Sequence, residues 1–239
     1  MRYLLPVAAL LLAGCATNIT PLVAPQSAQE ALRPYYATLD AKLPKAPPSP
    51  PLSADTVITR FAFGSCVNEN RDMKFWDVIA GQKPQAFLLI GDNVYGDTRS
   101  TNGADIPTLA ASYKMLNSRA EFDRFRRSIP MMTTWDDHDF GANDSGGSFA
   151  FKEWSEKAYE TFWSASDAVK SRPGVYESRI FGPAGKRVQF IILDARFFRS
   201  DLATMPCRDP APALAGTSPI WTRTRLCLAL RNGIGSRRN

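Results

Sequence analysis

Three times along the chain an apolar run of strand length stops abruptly and gives way to side chains that can ligate a metal or grip a phosphate. The central case is Phe87-Leu88-Leu89-Ile90, preceded by Pro84, closed by Gly91 and followed by Asp92-Asn93-Val94-Tyr95-Gly96-Asp97. Four apolar residues between such breakers read as a short strand buried on both faces. Upstream, Val57 to Phe63 leads into Gly64-Ser65-Cys66; downstream, Ile129 to Thr134 leads into Trp135-Asp136-Asp137-His138-Asp139 and then Asn143-Asp144. A lone Gly-Asp after a strand is ordinary turn chemistry, but three strand ends of the same kind indicate a shared edge.

Segments of helical spacing separate these runs. Phe75, Trp76, Val78 and Ile79 follow Asp72, and their aromatic rings read as core. Between Thr98 and Ser128 a polar loop precedes Leu109, Tyr113, Leu116, Phe122 and Phe125, with Arg119, Arg124, Arg126 and Arg127 either gripping phosphate or forming a solvated face. Strand, helix, strand, helices, strand is the order of a largely parallel sheet, and ligands collect beyond the carboxyl ends of such strands. Cys66, Asp92, Tyr95, Asp137, His138 and Asn143 are therefore expected at one edge. Beyond it, Phe149 to Trp163 predicts an aromatic-rich amphipathic helix. Gly174 to Phe181 and Arg187 to Leu193 predict two strands around a Gly182-Pro183-Ala184-Gly185 turn. The second strand runs into Asp194-Ala195-Arg196, a pair that either faces the site or forms a structural salt bridge.

The termini fall outside this pattern. Residues 1–15 combine Arg2, an apolar run from Leu4 to Ala13 and Leu12-Ala13-Gly14-Cys15, which resembles a bacterial lipobox. The run is far short of the roughly 20 residues that span a bilayer. Cleavage ahead of Cys15, with lipid on its thiol, is the expectation; an ordinary secretory signal cut elsewhere is the alternative. Residues 16–55 carry eight prolines and read as a stiff tether, with a short amphipathic piece from Gln29 to Leu43. The domain proper is expected over 56–207, and 208–239 is a basic tail.

Charge narrows the function classes. The tail holds six arginines against one aspartate, so it accounts for +5 of the formal +6 and leaves the body near neutrality. Neither that distribution nor any helix-turn-helix, finger spacing or aromatic RNA-binding strand supports nucleic-acid binding. Cys66, Cys207 and Cys227 lack metal-finger spacing. A thiol kept at a strand end in an exported chain has a reason to be there if it is held as a metal-bound thiolate. A set of carboxylates, amide, imidazole, thiol and phenol suits two or more metal ions and hydrolytic phosphate chemistry. Oxidised iron fits the thiolate and phenolate, and a harder ion such as calcium fits the oxygens.

Gly64-Ser65-Cys66, Gly91 to Asp97, and Trp135 to Asp139 with Asn143-Asp144 together resemble the alkaline phosphatase D (PhoD-like) metallophosphatases, over about Thr59 to Arg199. The resemblance implies a four-layered α/β metallophosphoesterase core, a sandwich of mixed sheets flanked by helices, hydrolysing phosphate mono- and diesters outside the cytoplasm. It implies Fe3+ on Cys66, Asp92 and Tyr95, with Asp92 bridging to Ca2+ or another divalent ion. Asp137 and Asn143 become further ligands, and Asp137 with His138 the catalytic pair. His138 steadies the phosphate or leaving group, and Arg196 faces substrate. An extracytoplasmic place agrees with the lipobox-like segment, and together they make the bacterial cell envelope, lipid-anchored through Cys15, the expected localisation.

The chain departs from that pattern in having one histidine in 239 residues. Histidine and aspartate ligands from a second half are missing, so the sandwich is expected to be incomplete at its C-terminus and activity weak or lost. A lipid-anchored, non-catalytic calcium-binding or interaction protein is the competing reading. The tail suggests why. From Arg208 lysine and glutamate disappear, arginine replaces them and periodic hydrophobicity stops, as in a shifted frame of a GC-rich gene. Reading each codon's third base with the next two, Gly216 to Arg225 permits Tyr-Leu-Pro-Asp-Met-Asp-Pro-Asp-Lys. Leu226 to Arg237 then permits Thr-Met-Leu-Gly-Ala-Ala-Gln-Trp-Asp-Trp-Leu-Glu, which resembles the segment after the Leu-Asp-x-Arg strand of these phosphatases. A frame change between roughly Ser200 and Ala215 is expected, against the alternative of a genuine disordered basic tail. Sequencing the gene tests this: the alternative frame should run on well past the codon of Asn239 with further histidines, and an early stop codon there would make the tail genuine.

Overall fold

In the computed structural model, residues 28–39, 42–99, 106–200 and 202 are described. The chain divides after Arg199, and the account below concerns the first unit. Cys15, Cys207, Cys227 and the tail lie outside the described residues, as do the signal segment and most of the expected frame-change region.

All three expected strands form. β1 (Phe61–Gly64), β2 (Ala86–Ile90) and β3 (Met131–Thr134) lie in the order β1-β2-β3, all parallel. Phe61 pairs with Ala86 and Phe87 with Met131, so the three carboxyl ends arrive together. β1 begins four residues later than the apolar run suggests. The reason is a side chain: Gln85 Oε1 accepts from Thr59 N at 2.8 Å and Arg60 N at 3.0 Å, and its Nε2 donates to Val57 O at 3.0 Å, occupying groups that would otherwise enter a ladder.

Alternation along the strands sorts their residues between two faces. Phe87, Leu89 and Met131 join the main core, beneath helices. Those helices are α1 (Ala28–Leu39), α2 (Phe75–Gly81), α3 (Ile106–Asn117), α4 (Ala120–Ser128), the one-turn α5 (Asp137–Phe140) and α6 (Lys152–Trp163), while the one-turn α7 (Asp167–Lys170) contributes no residue to that core. Trp76 of α2 is the hub, with ring centroids 5.5 Å from Phe87 and 4.6 Å from Phe125. Its neighbour Phe75 is exposed rather than core, because only one face of a seven-residue helix can reach the sheet. Ala86 and Met132, on the opposite face, pack against Phe181, Phe190 and Ile192 of the antiparallel hairpin β4 (Glu177–Phe181) and β5 (Val188–Ile192). Burial of β2 on both faces holds at Ala86 and Phe87 but not at its end, where Ile90 is exposed. Among the described residues no helix is long and apolar enough to cross a membrane.

Two expectations change on contact with the tertiary structure. The proline-rich segment, read as a tether, is held against the domain from Ala46 to Ala54. Ala46 N donates to Phe162 O at 2.9 Å, Ser49 Oγ links Ile129 O at 3.1 Å to Met131 N at 2.9 Å, and Gly182 N donates to Ala54 O at 2.7 Å. An extended proline-rich chain makes no internal hydrogen bonds, so its free carbonyls and N–H groups pair with whatever backbone adjoins them. The arginine cluster is neither a phosphate grip nor a uniform solvated face. Arg124 pairs with Asp77 at 2.8 Å and Arg127 with Asp123 at 3.0 Å at the surface. Arg119 Nε donates to Glu69 O at 2.8 Å, while Arg126 is buried.

Candidate metal centre

The strand ends turn sharply. Cys66 at φ +62° and Asp92 at φ +50° both occupy the left-handed region, which disfavours side chains with a Cβ by roughly 1–2 kcal/mol per residue. They are held there by Cys66 N donating to Gly91 O at 3.2 Å and Val67 N donating to Asp92 O at 2.8 Å, which tie the two loops together. Gly91 sits at φ +114°, and a Cβ there would meet Asp136 Cβ at 2.6 Å. Only glycine lets the end of β2 lie this close to the loop after β3.

The turns bring the predicted donors to one place. Asp92 is only 8% exposed. Its Oδ2 lies 3.5 Å from Cys66 Sγ and 3.5 Å from Tyr95 Oη. Asp92, Asp137 and His138 each offer a ligand atom within 4.8 Å of the others. The second oxygen of Asp92, Oδ1, is buried with no hydrogen-bond partner among the described residues. Buried carboxylate oxygens are normally satisfied, so this one fits a cation. Burial raises the carboxyl pKa of Asp92, and the carboxylate of Asp137 adds to the rise while His138 opposes it. Burial likewise raises the phenol of Tyr95, helped by Cys66 and Asp92. An anionic cluster with so little compensating charge is suited to a metal ion, which would reverse both shifts. Cys66 is a free, exposed thiol.

His138 is fixed from behind. Its Nδ1 lies 2.7 Å from Asp97 Oδ2, and its ring lies on Tyr95 with centroids 4.3 Å apart, leaving Nε2 for the site. Burial alone would lower the pKa of His138, but its hydrogen bond to Asp97 and the charges of Asp97, Asp92 and Asp137 outweigh it and raise it above 6.5. Because the folded-state value is the higher one, the imidazolium's contribution to stability is complete below about 6.5 and lost as pH rises through the raised value. As the chain's single histidine, His138 gives one imidazole signal in a proton NMR titration of metal-free protein. That signal should titrate above 6.5, and Asp97→Asn should bring it down; an unchanged midpoint would mean that the Asp97 bond does not set it.

The remaining polar residues are supports. Asp139 is fully buried and accepts from Asp136 N at 2.8 Å and Asn93 N at 3.2 Å, closing a reciprocal cap with Asp136 at the start of α5. Asn93 Nδ2 also donates to Thr134 O at 2.8 Å. The Asp136-x-x-Asp139 spacing signals this cap in the sequence; the long-range partners Asp97, Asn93 and Glu69, whose Oε2 accepts from Tyr95 N at 3.0 Å, carry no such local signal. Asn143 is exposed, and its Nδ2 donates to Asp144 Oδ2 at 2.7 Å, while Asp144 N donates to Asp137 Oδ2 at 2.7 Å. Arg196, read as either facing the site or forming a structural salt bridge, makes salt bridges within the protein: its Nε donates to Asp136 and its Nη2 lies 3.4 Å from Asp137 Oδ1. Burial raises the pKa of Asp137, but the Asp144 N–H and the charge of Arg196 more than offset this, and it lies below its ordinary value. Asp194 is turned away from the donors. It accepts from Trp135 Nε1 at 2.8 Å and from the backbone N–H groups of Val175, Arg196 and Phe197 at 2.9 Å.

No family model matches the chain, and no curated protein sequence matches it significantly. Among solved structures, one described as "Structure of PhoD" is similar, with a TM-score of 0.52 and 21% identity over 65% of this chain. The match takes in 34% of that structure, so the chain spans about a third of its length. The three-stranded parallel sheet, the antiparallel hairpin and the helices around them make a mixed α/β fold similar to that of PhoD.

Proposed function

We propose that this edge of the sheet is the metal centre of a phosphoester hydrolase of the alkaline phosphatase/phosphodiesterase D kind, and that the chain carries one part of it. The single observation that carries the reading is the buried, unpartnered Oδ1 of Asp92, in a carboxylate whose other oxygen faces a thiol and a phenol at 3.5 Å. Cys66, Asp92 and Tyr95 would hold ferric iron, with Asp92 shared toward a calcium or other divalent ion served by Asp137 and Asn143. When bound, the metals supply neutralisation of phosphate oxygens and a water acidified enough to attack phosphorus at neutral pH.

The chain's own residues do the rest. Asp97 orients His138 so that Nε2 can donate to a phosphate or leaving-group oxygen. Arg196, held by Asp136, positions Asp137. Tyr95, its ring tilted 33° against the imidazole, excludes water from one side of it. We also propose that the domain is attached to the cell envelope through lipid on Cys15, which Cys15→Ser would release from membranes.

Metal analysis of the full chain after loading with iron and calcium tests the centre, together with hydrolysis of a chromogenic phosphate ester. Tightly held iron with a visible thiolate or phenolate charge-transfer band, lost in Cys66→Ser and shifted in Tyr95→Phe, supports it even where turnover is slow. Binding of calcium alone, with no turnover, would favour the non-catalytic calcium-binding reading.

A further inference from the structure

At the opposite edge of the sheet a second feature stands apart from the metal centre. A cleft of about 300 Å3 lies between the packed proline-rich segment, the first residues of β2 and β3, and the end of α6. That volume is at the lower end of the range for small-molecule sites. Ala86 at its wall is the first residue of β2, and Asp92 at the metal centre lies in the turn beyond that strand's last residue, Ile90, so the length of β2 separates them, about 13 Å at the rise of an extended chain.

The walls are mixed: Ala86, Met131, Met132, Trp163 and Phe181 give an apolar part, Ser49 and Ser164 a polar one, and two arginines reach the cleft, Arg126 and Arg179. Arg179 is paired, with Nε 2.9 Å from Glu177 Oε2. Arg126 is not. It is 5% exposed, its Nε donates to Pro47 O at 3.2 Å, its Nη2 donates to Trp163 O at 3.2 Å, and its guanidinium lies 5.2 Å from the centre of the Trp163 ring. No carboxylate pairs with it, and its Nη1 makes no hydrogen bond among the described residues. Buried guanidinium groups normally have an anionic partner, because carbonyl dipoles and a ring face offset only part of a desolvated charge. Burial lowers the pKa of Arg126 to about 10, which still leaves it a cation at neutral pH.

We propose that the cleft binds a small amphiphilic anion, its carboxylate or phosphate head paired with Arg126 and its short hydrocarbon part lying over Met132 and Phe181. The planar fork of Arg126 suits a two-oxygen head, and the apolar part of the wall, Met132 and Phe181 included, distinguishes such a ligand from an inorganic anion. Arg179, exposed at the mouth, adds attraction without being required for the seat.

Titration calorimetry of the full chain in chelator, with sodium octanoate as probe, tests the proposal. Saturable binding is expected, at least about tenfold weaker in Arg126→Gln, in keeping with loss of a charge-assisted pair. Octanol, which has no charged head, and inorganic phosphate, which has no tail, should each bind at least tenfold more weakly than octanoate. Equal binding of octanol, equal binding of phosphate, or no binding of octanoate would each overturn it. Asp92→Asn should bind octanoate like the unaltered chain, which keeps this site's fate separate from that of the metal centre; weakened binding in that variant would overturn the separation. If Arg126→Gln lowers the thermal midpoint sharply, Leu52→Trp serves instead: it fills the cleft from its rim and leaves Arg126 in place. Octanoate affinity unchanged in Leu52→Trp would overturn the proposal as well.

Discussion

Asp92→Asn should release metal from the chain and yet make the metal-free protein more stable. Asparagine tolerates the left-handed backbone that Asp92 adopts at φ +50°, so the turn itself should survive. What is lost is the charge. A shared carboxylate that serves two ions contributes more than one supporting residue, whose loss alone costs about 10–100-fold in metal affinity or activity, so iron content and any ester hydrolysis should fall by more than about a hundredfold. In chelator the sign reverses. Burial raises the Asp92 carboxyl above its ordinary 3.8, so the folded state holds that proton more tightly than the unfolded chain does. Ionisation at neutral pH therefore opposes folding, and the opposition fades only as pH falls through the raised value toward 3.8. Removing the charge should raise the melting temperature of the metal-free protein by about 2–4 °C for each kcal/mol recovered. Melting curves at pH 7.5 with and without chelator read both halves. A variant that keeps its iron and melts lower in chelator would make Asp92 a turn residue and end the central assignment.

Asp194→Ala should be among the most damaging single changes outside the core. One carboxylate there accepts from the indole of Trp135 and from three backbone N–H groups, and Trp135 is itself buried. Hydrogen bonds to a charged acceptor contribute about 1.5–3 kcal/mol each when buried, and some of these donors can recover water. A net loss of about 3–4 kcal/mol is the expected result, or roughly 10 °C in the melting temperature. The site should feel it too, because the Asp194 carboxylate fixes the backbone of Arg196, whose guanidinium holds Asp136 and Asp137. Metal affinity should therefore drop along with stability, while Asp194→Asn, which keeps an acceptor for Trp135, should lose less of both. A melting temperature for Asp194→Ala within 2 °C of the unaltered chain would show these bonds to be replaceable by water.

The strands were legible because their signal is local. Four or five apolar residues ended by Gly91, or by a row of acids after Thr134, mark a strand whatever surrounds it. The donors were legible for the same reason: Cys66, Asp92, Tyr95, Asp137 and His138 each follow a strand end within a few residues, and parallel pairing carries those ends to one edge. Asn143 followed the same logic to the same loop but lies exposed, because Asp144, one residue on, takes the hydrogen bond to Asp137.

What the sequence could not settle is every choice between partners distant along the chain. Arg196 could pair with a substrate or with acids about sixty residues away, and the fold places Asp136 and Asp137 within its reach. Arg126 looks like its neighbours Arg124 and Arg127 on a helical wheel, yet a segment some eighty residues earlier covers it and makes it a buried cation. That segment is rich in proline and by composition a spacer; it packs because the Ser49 hydroxyl bonds the start of β3 and its backbone groups find partners on α6 and the hairpin. The sequence by itself determined which elements form and which residues end them, since periodicity, glycine and proline act within a few residues. Only the tertiary structure decided which charges are paired, which are buried and which are left open, because desolvation and hydrogen bonding depend on whatever the fold brings within about 3 Å.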